Sequence, residues 1–364
     1  MKPPDSILVI VTRRIGDVLL VTPLIRSLRL AWPSAAIDVL VFAGTEGILA
    51  ANPDLRRVIA VPENAKEPSH FRILLSLVRR YDLAVSTLPG DRPTFYAWLA
   101  GRRRVGILLE GPQHFWKRLL LSRWTPFSDC DTHTVLMNLK LADLLGIRRF
   151  HDVVVSWRPV DEQRVEDLFP IVRTESYALL HLYPKYHYKM WHREGWREVS
   201  QWLWNQGLRV VLTGGGNPEE LAYAEETWRE MPAGTVNLSG RLSLAEVGFL
   251  ISRAHVYAGL DTVVTHMAAA LGVPTVALYG PTNPVKWGPW PHGCGGALNP
   301  YSRRGSRKVN NVTLLQGPGD CVPCHEEGCD RHIESYSDCL LRLPASQVIE
   351  ALQEALNSGN DRHA

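Results

Sequence analysis

Short runs of β-branched and other apolar residues alternate with amphipathic stretches along this chain, and the alternation happens twice. In the first half, residues 7–11 read as a buried strand. Val18, Val21, Leu24, Ile25 and Leu28 follow at helical spacing and predict one helix. Residues 37–42, 58–61 and 83–87 read as further strands, 71–78 as a helix, and 134–145 as a helix stopped by Gly146. The pattern then restarts. Strands are expected at 177–182, 208–213, 235–238, 255–259 and 275–279. Helices are expected at 196–205, ended by Gly207, and at 221–229 and 262–271. Ser243 and Glu246 form a capping box for one more helix running to Ser252. Such alternation argues for α/β architecture, with parallel sheets covered by helices on both faces.

A chain of 364 residues is long for one hydrophobic core and sufficient for two. The expected domains are 1–160 and 161–343, with a cleft between them. Pro159, Pro170 and several charges interrupt the pattern near that boundary. Residues 344–364 carry a last helix, expected to pack back on the first domain, and a tail.

No apolar run reaches the roughly 18 residues needed to span a bilayer. The apolar stretch at 7–11 is too short for a secretory signal, so a cytoplasmic protein is expected. The net charge of +3 says little about partners, and nucleic acid is not among those expected. Charge is concentrated locally, in Arg102, Arg103 and Arg104 and then Lys117, Arg118 and Arg123. Such a cluster suits phosphates or an anionic membrane surface, and equally an ordinary solvated face. Aromatic faces suit sugar rings, but many of the twelve tryptophans are expected in the core.

Ligands of open α/β sheets sit beyond the carboxyl ends of the strands. Gly16-Asp17 lies there after the first strand. Gly16 would allow a tight turn, and Asp17 would take a proton from an attacking hydroxyl or simply cap the first helix. In the second half, Gly259-Leu260-Asp261-Thr262 ends a strand, and His266 shares a helix face with Thr262. The N–H donors and positive potential of that helix start suit a pyrophosphate, though a capped helix with a satisfied histidine would look the same. The loop after Leu182 carries Lys185, His187, Lys189, Trp191 and His192. A lysine there would neutralise phosphate. Gly214-Gly215-Gly216 followed by Glu219 and Glu220 would let a ligand approach closely. It matches neither a Walker loop nor a dinucleotide fingerprint, which argues against a dehydrogenase. Cys321, Cys324, Cys329 and Cys339 have a spacing open to structural zinc or to unligated thiols.

Three segments together resemble glycosyltransferase family 9, the bacterial lipopolysaccharide heptosyltransferases. They are RRIGDVLLVTPLIRSLRLAWPSAAID at 13–38, KMWHREGWREVSQWL at 189–203 and GLDTVVTHMAAALGVPTVALYGPTNP at 259–284. The C-terminal cysteine spacing looks like the heptosyltransferase III-like branch. The resemblance implies a GT-B fold, two Rossmann-like domains with parallel sheets facing a central cleft, acceptor on the first and nucleotide sugar mainly on the second. It implies inverting transfer of heptose from ADP-L-glycero-β-D-manno-heptose to the inner core of lipopolysaccharide, at the cytoplasmic face of the inner membrane, with no cofactor required for catalysis.

By the same resemblance, Asp17 matches the general base, Lys189 a donor-phosphate ligand, Asp261, Thr262 and His266 the donor motif, and Glu219 an acidic contact near the nucleoside. Arg14, Arg102, Arg103 and Arg104 are candidates for acceptor phosphates or carboxylates on charge alone. Two departures are visible: Val263 stands where better-known members carry Gly, and the loop from residue 181 to 189 is one residue longer. Both bear on the choice of donor sugar and acceptor. The rival readings are a GT-B enzyme with another nucleotide sugar and a non-catalytic nucleotide-sugar-binding module.

Overall fold

A computed structural model describes residues 2–296 and 298–359. The chain divides into two compact units at Ser156–Trp157. In the first, strands β1 (Ser6–Val11), β2 (Ala36–Phe42), β3 (Arg57–Val61), β4 (Tyr81–Ser86), β5 (Gly101–Leu108) and β6 (Arg123–Pro126) form one sheet in the order β3-β2-β1-β4-β5-β6. Every pairing is parallel. The helices are α1 (Ile15–Leu20), α2 (Thr22–Ala31), α3 (Pro68–Leu77), α4 (Asp91–Ala100), α5 (Phe115–Leu120) and α6 (Thr134–Leu145). Ile7 through Val11 are buried on both sides, which is why β1 reads as an unbroken apolar run.

The helix expected from Val18 to Leu28 is two helices, with the break at Val21. Pro23 sits in the first turn of α2, where its missing N–H costs nothing, and the Thr22 hydroxyl donates to the Leu19 carbonyl. Gly146 ends α6 in the left-handed conformation, at φ 71°, as its position after a periodic run predicts.

The second unit holds α7 (Pro159–Leu168), β7 (Tyr177–His181), α8 (Arg193–Asn205), β8 (Arg209–Thr213), α9 (Pro218–Arg229), β9 (Val236–Asn237), α10 (Leu244–Arg253), β10 (Val256–Leu260), α11 (Val263–Ala270), β11 (Thr275–Tyr279), α12 (Pro284–Trp287), β12 (Arg307–Val309), β13 (Val312–Gln316), α13 (Asp338–Leu341) and α14 (Ala345–Gly359). Its sheet runs β12-β13-β11-β10-β7-β8-β9, with β12 antiparallel to β13 and the other pairs parallel. The capping box of α10 forms as predicted, Ser243 bonding the Glu246 N–H and Glu246 bonding back to Ser243.

The C-terminal helix is part of the second unit's core. Val348, Ala351, Leu352 and Ala355 of α14 lie in the core of the second unit with Trp196, Val199, Leu203 and Leu278. Helix α14 packs on α8, β10, β11 and β13. Its apolar stripe fills the face of the second sheet that α8 leaves partly open. Residues 360–364, the expected tail, lie outside the described residues.

Candidate active site

Strand order fixes where each unit can hold a ligand. Connections run outward in opposite directions from β1 and β4 in the first sheet, and from β7 and β10 in the second. At such switch points the adjoining loops diverge and leave a crevice beyond the strand carboxyl ends. Asp17 follows β1, Lys189 follows β7 and Asp261 follows β10, so the sequence candidates occupy these two places.

In the first unit, Asp17 lies in the first turn of α1 and is buried, 7% exposed. Arg13 Nε stands 3.6 Å from its Oδ2. Arg14 is the N-cap residue and exposed. Gly16 is itself helical, and a Cβ there would meet nothing within 4 Å. Its role is therefore not a tight turn. The space a side chain would occupy there is open.

The arginine triplet is elsewhere. Arg102, Arg103 and Arg104 open strand β5, and the register sets Arg103 level with Leu83 and Ile7. That is the amino end of the sheet, while Asp17 lies beyond the carboxyl end of β1. Arg102 faces Asp82 at 3.8 Å, Arg103 donates to the Lys2 and Asp82 carbonyls, and burial lowers the Arg104 pKa. A parallel strand carries its first residues away from the ligand end. The triplet thus lies at the opposite end of the first sheet from Asp17.

In the second unit the residues converge. Lys189 closes a 3-10 turn (His187–Lys189), and its Nζ lies 2.5 Å from Asp261 Oδ2. Thr282 donates its hydroxyl to the same oxygen at 2.7 Å. Burial raises the Asp261 pKa, but the Lys189 charge and hydrogen bond, His266 and Thr282 more than offset it, and the net shift is downward. His266 is buried, with its pKa lowered to about 4, chiefly by burial. Asp261 pulls that value upward and Lys189 downward. His266 Nδ1 has no hydrogen-bond partner.

Thr262 is the N-cap of α11, yet its side chain makes no capping bond. The helix start is ordered from behind. The Tyr257 hydroxyl passes over Gly259, where any Cβ would meet it at 2.2 Å, and reaches Thr265 Oγ1 at 2.9 Å. Thr265 in turn donates to the Leu260 carbonyl. A lysine and a helix N-terminus beside a buried carboxylate form a cationic niche suited to phosphate, with a carboxylate placed for hydroxyl groups.

Glu219 stands at the margin, largely exposed, with His187 Nε2 2.8 Å from its Oε1. Glu220 instead accepts the Gly215 N–H and is packed over Gly214 and Gly215. Those two glycines are thus filled by the protein's own side chains, whereas Gly216 is open. Sequence reasoning missed Thr282, Tyr257 and Thr265. Thr282 and Thr265 lie within the 259–284 motif, and a tyrosine two residues before a strand glycine is the signal for the third.

The cysteine segment lies against the loop that carries Lys189. Ser337 donates to the Tyr188 carbonyl at 2.6 Å, and Tyr336 stacks on His187 with centroids 5.6 Å apart. Trp191 Nε1 donates to the Leu343 carbonyl at 2.8 Å. The segment thereby braces the loop that carries Lys189. Cys339 is in the hydrophobic core, its pKa pushed up to about 12 by burial and then by the other cysteines. Cys321 and Cys329 are exposed, and Cys329 Sγ accepts the Asp338 N–H. Among the described residues no three His, Cys, Asp or Glu side chains are gathered as metal ligands.

Comparison with known proteins gives a consistent result. The sequence model of glycosyltransferase family 9 (heptosyltransferase) matches residues 118–313, which include Lys189, Asp261 and His266. Lipopolysaccharide heptosyltransferase 3 of Escherichia coli K12 is 29% identical over 294 residues, 76% of this chain and 82% of that protein. The crystal structure of a family 9 glycosyl transferase from Veillonella parvula superposes with a TM-score of 0.78 at 20% identity, covering 98% of this chain and 99% of that one. The ADP-heptose lipopolysaccharide heptosyltransferase II of E. coli gives 0.73 at 21% identity, with 98% and 99% covered.

Proposed function

The chain belongs to glycosyltransferase family 9, and from that premise we propose that it transfers a heptose from ADP-L-glycero-β-D-manno-heptose to the inner core of lipopolysaccharide. It is a glycosyltransferase with the GT-B fold. In this proposal the unit up to Ser156 takes the acceptor and the unit from Trp157 takes the donor. The enzyme works in the cytoplasm, against the inner membrane where such an acceptor is assembled.

The observation that carries the reading is the Lys189–Asp261–Thr282 cluster at the start of α11. A diphosphate set there meets the Lys189 ammonium, the Thr262 hydroxyl and the free end of the helix dipole. Asp261 then faces sugar hydroxyls, with His266 neutral beside it. An acceptor hydroxyl attacks the anomeric carbon and gives its proton to Asp17. The bond from that carbon to the phosphate oxygen breaks, and ADP leaves with its new negative charge held by Lys189 and the helix terminus. The configuration at the anomeric carbon inverts.

The test is a donor screen. Purified protein is given ADP-heptose, UDP-sugars or GDP-sugars, with core oligosaccharide from a strain lacking this protein as acceptor. Mass spectrometry should show one heptose added, from ADP-heptose alone. Transfer from a UDP- or GDP-sugar in its place would move the protein to another glycan, and no transfer from any donor would favour a binding module.

A further inference from the structure

Half of the large apolar side chains exposed among the described residues lie between residues 71 and 119. Phe71, Leu75 and Val78 recur at helical spacing along α3 and its C-cap, Phe95 stands on α4, and Phe115 and Leu119 stand one turn apart on α5. Helix α3 packs on α4, and α4 on α5, so these side chains belong to one layer over one face of the first sheet. Single exposed leucines are ordinary, but a contiguous set marks a surface that meets something.

We propose that this helical layer is a docking surface for an anionic phospholipid bilayer. The inference rests on the reading that the acceptor is a lipid-borne glycan. No helix among the described residues is long and apolar enough to cross a membrane, so such an acceptor has to be met through the protein surface.

Charge identifies the occupant. Lys66 and Arg72 lie before and in the first half of α3 and Arg118 on α5, while Arg79, Arg80 and Arg123 lie at the amino ends of β4 and β6, all exposed. The acids of the same segments are Glu63, Glu67, Asp91 and Glu110, and Asp91 is paired with Lys117 at 2.6 Å. The layer therefore carries an excess of arginine and lysine around its apolar side chains, which suits lipid phosphates and disfavours a second copy of the same cationic face. Arg118 lies 4.6 Å over the Trp124 ring, a cation–aromatic pair of the kind found at bilayer interfaces.

The phenylalanines mark where the layer meets the ligand end of the sheet. Each of the three helices starts at the carboxyl end of the strand before it, and Phe71, Phe95 and Phe115 all lie in the first five residues of their helices. They therefore rim the end of the first unit at which Asp17 sits. A bilayer held there would present its glycolipids beside that carboxylate.

The experiment is co-sedimentation of the full chain with phosphatidylethanolamine vesicles containing phosphatidylglycerol, and with phosphatidylcholine vesicles. Two variants are compared, Phe115→Ser/Leu119→Ser and Arg72→Glu/Arg118→Glu, each checked for native melting and for transfer to a water-soluble, deacylated acceptor. The proposal expects wild-type binding to the anionic vesicles, reduced at least roughly tenfold in each variant, with transfer to the soluble acceptor unchanged. Equal vesicle binding by wild type and both natively melting variants overturns it, as does wild-type protein that stays in the supernatant. Variants that change oligomeric state in sedimentation velocity without changing vesicle binding also overturn it, assigning the layer to self-association. Failure of heptose transfer with lipid binding retained and sensitive to both variants supports the surface while removing the proposed reaction.

Discussion

Lys189 Nζ lies 2.5 Å from Asp261 Oδ2, joining the loop after β7 to the loop after β10 across adjacent strands. Both side chains are largely sequestered from solvent, so each depends on the other. Lys189→Met leaves a buried carboxylate with only Thr282 and His266 near it. Stability should fall by about 3 kcal/mol in urea unfolding. The double variant Lys189→Met/Asp261→Asn should regain most of that loss, while ADP affinity stays low in both. A single variant as stable as wild type would mean that the pair is not formed in solution.

Asp17 is the one acid in the first turn of α1, directly after Gly16. As the proton acceptor it acts only in the bond-forming step. Asp17→Asn should lower turnover by about 100- to 10,000-fold. ADP affinity, measured by calorimetry, should not change, because the nucleotide is assigned to the other unit. Near-normal turnover would remove Asp17 from the mechanism.

His266 and His181 are buried with pKa values lowered to about 4 from an ordinary 6.5, in both cases mainly by burial. The unfolded chain binds these protons more readily than the folded one. Their stabilising effect is therefore complete above pH 6.5 and is lost as pH falls from there toward 4. Between pH 7.5 and pH 5 each histidine should cost about 2 kcal/mol of unfolding free energy. His266→Gln should remove its share, giving a flatter pH profile than wild type. Parallel profiles would show that His266 titrates alike in both states.

Arg102, Arg103 and Arg104 sit at the end of the first sheet remote from Asp17. The triple alanine variant should leave acceptor KM unchanged. Its melting temperature should fall slightly, because exposed ion pairs of this kind contribute about 0–1 kcal/mol. A KM rise of roughly tenfold, equivalent to about 1.4 kcal/mol, would return the triplet to the acceptor site.

The cysteines differ in kind, with Cys339 in the core and Cys321 at the surface. Cys339→Ser places a hydroxyl among apolar neighbours and should cost about 1–3 kcal/mol. Cys321→Ser should stay within about 0.5 kcal/mol of wild type. Treatment with 1,10-phenanthroline should leave the melting curve in place. A chelator-induced drop, together with equal losses from both serine variants, would reveal a metal holding the segment.

The sequence by itself determined what depends on local pattern. Apolar periodicity named most of the strands and helices, Gly146 and the Ser243–Glu246 box marked helix ends, and three motifs carried the family together with Lys189, Asp261, Thr262 and His266. Asp261, Thr262 and His266 were legible because they share one turn of chain, whose spacing is geometry enough.

Tertiary structure decided what depends on which strands lie side by side. Pairing of β7 with β10 brought Lys189 to Asp261 across 72 residues of chain, and strand order put Thr282 on the same oxygen. Parallel register carried Arg102–Arg104 to the far end of the sheet, although as a charge run they looked like a ligand cluster. The stripe on α14 could be recognised as apolar, but only the packed second sheet shows which surface it covers. Burial of Cys339 likewise followed from that packing. In each case the deciding quantity is a distance set by sheet order, which no local pattern of residues contains.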